Sequence, residues 1–136
     1  MTDKLVIYTD GGARGNPGPA AIGFVIYDTS GKEIKKFGHY LGVTTNNQAE
    51  YRALIAALED AHKLGAEKVV CHLDSELVVK QLQGKYKVRE EGLKPLASEA
   101  IRLSAKFTQV DFVHVPREKN KLADQLVNEV LDKQIN

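Results

Sequence analysis

Four carboxylates, Asp10, Glu50, Asp74 and Asp124, are spaced so that they could act on one phosphate-bearing substrate. Asp10 follows the apolar run "LVIYT" and runs straight into "GGARGNPG"; Asp74 closes "KVVCHL" just before a helical stretch. Either aspartate alone reads as a turn residue or a helix N-cap. Both, however, fall at the C-terminal ends of core strands, the edge where α/β sheets hold ligands. Glu50 has Leu54, Ala57, Leu58 and Ala61 on its own helical face, so the spacing aims it inward. An unpaired buried charge is costly, although a glutamate near a helix N-terminus also gains from the dipole. Asp124 sits at the rim of an apolar stripe that continues through Val127 and Leu131, where a solvent-facing aspartate is the ordinary reading. The set carries the argument. Four converging carboxylates repel one another and raise their own pKa values unless cations neutralise them. Two Mg²⁺ ions, or Mn²⁺ in their place, suit hard oxygen ligands, and such a pair can activate water and stabilise the leaving oxygen of a phosphodiester.

The elements that must position these groups follow from the hydrophobic pattern. "KLVIYTD" is a buried strand, and "AAIGFVIYDTSGKEIKKFGHYLG" reads as a hairpin turning at "DTSGK". From Asn46 to Leu64 the spacing is helical, and Gly65 stands where a C-terminal cap belongs. "KVVCHLD" is a strand, "SELVVKQLQG" a short helix, "LKPLASEAIRLSAKF" a helix with Pro95 in its first turn, "QVDFVHV" a strand and "KLADQLVNEVLDKQI" a closing helix. The order βββαβααβα predicts one α/β domain over residues 1–136, a mixed sheet flanked by helices.

Composition narrows the classes. At 136 residues, 43% hydrophobic and 27% charged, the chain reads as one globular domain. Cys71 is the single cysteine, which excludes an internal disulfide and suits a reducing compartment; with only four histidines, a structural zinc site is disfavoured. No apolar run approaches the roughly 20 residues of a membrane span, and "MTDKLVIYTD" carries no signal-peptide pattern. The expectation is a cytoplasmic protein that does not meet a membrane. Net charge is +1, so charge balance neither favours nor disfavours nucleic acid. Locally, Lys80, Lys85, Lys87, Arg89 and Lys94 outnumber Glu90 and Glu91, and Arg117, Lys119 and Lys121 surround Glu118. Such runs are ordinarily solvated surface and matter only beside a phosphate-handling site.

The blocks "YTDGGARGNPGPAAIG", "TTNNQAEYRALIAAL", "LDSELVVKQL" and "VPREKNKLAD" occur in the order and spacing of type 1 ribonuclease H, which the chain resembles over essentially its whole length. The resemblance implies the ribonuclease H-like fold with a five-stranded mixed sheet, three antiparallel N-terminal strands plus two more. It implies hydrolysis of the RNA strand of RNA/DNA hybrids, leaving 5′-phosphate and 3′-hydroxyl ends. The family's metal-binding carboxylates would fall on Asp10, Glu50, Asp74 and Asp124, and its substrate-reading loop on Gly12, Ala13, Arg14, Gly15 and Asn16. Pro17 and Gly18 would shape that loop. RNA differs from DNA by 2′-hydroxyls displayed in a wide, shallow groove, and residues without a Cβ let the backbone approach them. Asn46 and Asn47 would reach the same groove, and Thr45 matches a residue that holds a phosphate of the DNA strand. His114 matches the family's mobile histidine by interval but lies in a predicted strand; Arg117, in the following loop, is the better candidate helper near the scissile phosphate. The implied partner is the hybrid duplex, with no obligatory protein partner and a monomeric chain.

Three departures stand out. Val43 takes the place of an arginine beside the phosphate pocket, and Glu76 that of a neutral residue near the RNA backbone. Only "KYKVREEG" separates the second and third helices, too short for the basic protrusion of larger members. A non-catalytic hybrid-binding domain, a related nuclease of the same superfamily and activity on double-stranded RNA stay open as alternatives.

Overall fold

A computed structural model describes residues 3–135. Strands β1 (Lys4–Ala13), β2 (Gly18–Asp28) and β3 (Glu33–Thr44) are followed by α1 (Asn46–Lys63), β4 (Lys68–Leu73), α2 (Glu76–Leu82), α3 (Lys94–Ser104), β5 (Gln109–His114), a single 3-10 turn at Arg117–Lys119 and α4 (Lys121–Ile135). The five strands form one sheet in the order β3-β2-β1-β4-β5. The pairs β1/β2 and β2/β3 are antiparallel, whereas β4 runs parallel to both β1 and β5. The expected element order and mixed sheet are therefore present.

Alternation sorts the strand residues between two faces. Leu5, Ile7, Phe24, Ile26, Val69, Cys71 and Leu73 are buried with Tyr51, Leu54 and Leu58 of α1 and Leu103 of α3 in the main core. Cys71 is wholly buried there, and its burial pushes the thiol pKa up, so it serves as packing. The other face is covered by α4, whose Val127 and Leu131 pack on Ala21 and Tyr40. That helix lies close because Gly23 and Gly38 are register partners beneath it. A Cβ at Gly23 would come within 2.6 Å of the Ala123 carbonyl oxygen, and one at Gly38 within 2.9 Å of Val130 Cγ2. The two glycines form a notch that sets the height of α4.

The boundary that bears most on the carboxylates differs from the sequence reading. The pattern ends β1 at Asp10 and makes "GGARGNPG" a loop, yet the ladder to β2 runs on through Gly11↔Ile22, Gly12↔Ala21 and Ala13↔Ala20. Two glycines are poor strand formers, but an extended partner strand supplies the hydrogen bonds that local propensity would not. The connection shrinks to residues 14–17, which contain a cis Asn16–Pro17 bond.

Candidate active site

The carboxylates meet where the parallel part of the sheet ends. The β1/β4 register stops at Thr9↔Leu73, so the next residues, Asp10 and Asp74, emerge side by side at the carboxyl edge. Asp74 does not cap α2, because Ser75 Oγ accepts the Val78 N–H at 3.3 Å in that role. Its carboxylate is left to face the site. Glu50 comes from the first turns of α1, started by Thr45, whose Oγ1 accepts the Gln48 N–H at 3.2 Å. The helix crosses β1 directly above Gly11, where a Cβ would lie 2.2 Å from both the carbonyl carbon and oxygen of Ala49 and 2.5 Å from the Glu50 nitrogen. Only glycine lets the two backbones come this close. The Gly11 N–H then donates to Glu50 Oε1 at 3.2 Å.

One oxygen each of Asp10, Glu50 and Asp74 lies within 4.8 Å of the others. Asp10 and Glu50 are each only 6% exposed, and Asp74 is half-buried. Burial, and then the charge of Asp74 with that of Asp124 adding to it, pushes the Asp10 carboxyl from 3.8 to about 7. Glu50 is raised well above its ordinary 4.5, first by burial and then by the Asp10 and Asp74 charges. Close buried carboxylates ionise together only when positive charge is supplied. Glu50 Oε2 is buried and meets no hydrogen-bond partner, in a residue whose carboxylate lies beside two others. An orphaned acceptor in an all-oxygen set fits a hard divalent cation, which would satisfy it.

Asp124 lines the same groove from α4, half-buried, and accepts a hydrogen bond from Asn128 Nδ2 at 3.3 Å. It stands outside the tight group of three. Gly12, Ala13, Arg14, Asn46, Asn47 and Arg117 line this groove as well. The turn after β1 is latched to the start of α1: the Ala13 N–H donates to Asn46 Oδ1 at 2.8 Å, and the Asn46 N–H donates to Asn16 Oδ1 at 3.0 Å. Arg14 also pairs with Asp132 of α4 at 2.6 Å, an exposed contact of little energetic weight. Gly15, Asn16 and Thr45 border the groove residues in sequence without lining the groove themselves. His114 ends β5 opposite Leu73, exposed and outside the groove lining, in the strand that the sequence predicts.

The sequence reading missed Asn120. Its position before an amphipathic helix suggests only a cap. In the fold it is 2% exposed, and its Nδ2 donates to the Thr9 carbonyl at 2.8 Å and to Asp74 Oδ2 at 3.1 Å.

Comparison with known proteins converges on one group. The reverse transcriptase-like family matches residues 8–130. Ribonuclease HI of Halobacterium salinarum is 45% identical over 129 residues, covering 95% of this chain and 65% of that protein. The bifunctional protein Rv2228c of Mycobacterium tuberculosis is 43% identical over 130 residues; the chain spans only 36% of its length. Among solved structures, LC11-RNase H1 in complex with an RNA/DNA hybrid superposes with a TM-score of 0.92 at 49% identity, covering 97% of this chain and 99% of that one.

Proposed function

Because the chain belongs to the ribonuclease H family, we propose that it is a divalent-cation-dependent endonuclease that hydrolyses the RNA strand of RNA/DNA hybrids, leaving 5′-phosphate and 3′-hydroxyl ends. The observation that carries this reading is the Asp10–Glu50–Asp74 cluster, two of its carboxylates buried and the third half-buried, set beside a latched turn at the end of β1. Asp10, Glu50 and Asp74 would hold one Mg²⁺ or Mn²⁺, and Asp10 with Asp124 a second. Bound there, the cations would supply Lewis-acid activation of water and neutralisation of the leaving oxygen.

The chain's own groups position the duplex. The backbone of Gly12–Asn16, with Asn46 and Asn47, presents donors and acceptors to the 2′-hydroxyls of a shallow minor groove, and the Ala13–Asn46 latch holds them ready before substrate arrives. Arg117, exposed at the groove margin, would orient the scissile phosphate as a fixed cation. His114, at the exposed end of β5, would carry the proton to or from the departing strand. Thr45 would meet the DNA-strand phosphate, with Val43 beside it, 71% exposed, offering no cation. Lys85, Lys87 and Arg89 form a short exposed loop in place of a longer basic element. The reading extends to a monomer acting in the cytoplasm.

Incubating labelled RNA/DNA, RNA/RNA and DNA/DNA duplexes with Mg²⁺ or Mn²⁺ tests the proposal. Cleavage confined to the RNA of the hybrid, and abolished by Asp10→Asn or Asp74→Asn, is expected. Equal cleavage of an all-DNA duplex, or near-wild-type turnover by either variant at saturating Mg²⁺, would refute it.

A further inference from the structure

Among the described residues, Asn120 is the one fully buried side chain that donates to a candidate metal ligand from outside the carboxylate set. Its Nδ2 has two hydrogens, and both are committed: one to the carbonyl of Thr9, the residue before Asp10, the other to Asp74 Oδ2. Its own carbonyl accepts the Asp124 N–H at 3.1 Å, the first turn of α4. A single residue thereby ties together the three chain segments that carry Asp10, Asp74 and Asp124. Its Oδ1 is buried without a partner, so the side chain is not held in this pose by capping α4. The amide stays where it is for the sake of its donor end.

We propose that Asn120 is the positioning residue that fixes the Asp74 carboxylate in its metal-binding orientation and locks the start of α4, and with it Asp124, to the same frame. The inference rests on the metal-dependent reading given above. Its physical logic lies in the choice of a neutral donor. An amide plane anchored through one N–H on the Thr9 carbonyl can orient the Asp74 carboxylate through the other and leave its negative charge intact for a cation. A lysine or arginine at the same place would hold Asp74 equally well but neutralise it and compete with the metal. Partners that orient metal ligands in this way commonly govern affinity for the ion.

The test uses the full chain with Mn²⁺ as probe, measured by titration calorimetry, together with the Mg²⁺ concentration that half-saturates hybrid cleavage. Asn120→Asp keeps the shape but removes both donors; Asn120→Ser leaves a polar hydroxyl that is too short to reach Asp74. Each should weaken Mn²⁺ binding and raise the half-saturating Mg²⁺ by about 10- to 100-fold, with KM for the hybrid unchanged. In an Asp74→Ala background, adding Asn120→Ser should weaken Mn²⁺ binding much less than it does in the wild-type chain, because the hold on that carboxylate is already gone and only the tie to Asp124 and the Asp10 segment remains to be lost. Unchanged Mn²⁺ affinity in a folded variant, or losses that add in the double variant, would overturn the proposal. Failure of both single variants to fold in EDTA, by circular dichroism, would also overturn it and make Asn120 a structural residue. A wild-type chain whose Mn²⁺ binding depends on Asn120 but which cleaves no hybrid would refute the proposed function and leave the positioning role standing.

Discussion

Replacing Gly11 by alanine should damage catalysis more than stability, and the structure sets both magnitudes. The added methyl would start 2.2 Å from the carbonyl carbon and oxygen of Ala49, whereas ordinary van der Waals contact begins near 3.4 Å. The obstacle is helix backbone rather than a flexible side chain, so α1 and β1 must part by about 1 Å at this point. Forced separation in a packed interior costs about 1–3 kcal/mol. The same movement stretches the 3.2 Å bond from the Gly11 N–H to Glu50 Oε1 and carries Glu50 away from Asp10 and Asp74. A displacement of about 1 Å at a reacting centre can lower turnover by about 10²-fold. Urea unfolding in EDTA and hybrid cleavage at saturating Mg²⁺, run on the same preparation, measure the two effects separately. Wild-type turnover together with an unchanged unfolding midpoint would show that α1 does not need this approach, and that the placement of Glu50 has another origin.

Other consequences follow from the same geometry. The Asp10 carboxyl is raised in the fold from 3.8 to about 7, so without metal its contribution favours folding below pH 4 and is lost as pH climbs through 7. Asp10→Asn should therefore be more stable than wild type at pH 8 in EDTA, by at most about 4 kcal/mol at 1.36 kcal/mol per pH unit, with the difference vanishing towards pH 4. Saturating Mg²⁺ should erase that advantage; urea midpoints across pH check both. Gly23→Ala should lift α4 off β2, because the new methyl would meet the Ala123 carbonyl 2.6 Å away. A loss of about 1–3 kcal/mol, with weaker Mn²⁺ binding as Asp124 moves, is the expected result by thermal unfolding and calorimetry. Changing Lys85, Lys87 and Arg89 together to alanine should weaken hybrid binding by inactive Asp10→Asn uniformly, without moving cleavage sites in an otherwise active chain. The salt slope should fall by about 0.9 for each phosphate that is no longer neutralised, read from binding across salt concentrations.

Much of this protein is legible in the chain itself because its signals are local. Period-2 and helical spacing located the five strands and four helices seen among the described residues, and Gly65 and Pro95 fell at the helix ends where glycine and proline belong. The inward aim of Glu50 could be read from the four apolar residues on its own face, and the structure buries it. What the chain alone did not determine depends on partners distant in sequence. β1 extends through Gly11–Ala13 because β2 is beside it, not because those residues favour strand. Gly11, Gly23 and Gly38 are silent as letters; their meaning is the helix that passes over each of them. Asn120 reads as a helix cap until a segment 46 residues away brings Asp74 within 3.1 Å. Spacing could nominate four carboxylates, but only the parallel register of β1 on β4 sets Asp10 beside Asp74, and only the height of each helix above the sheet decides how closely Glu50 and Asp124 join them. Side-chain chemistry is written residue by residue, whereas distances between charges are fixed by packing, which no single stretch of sequence contains.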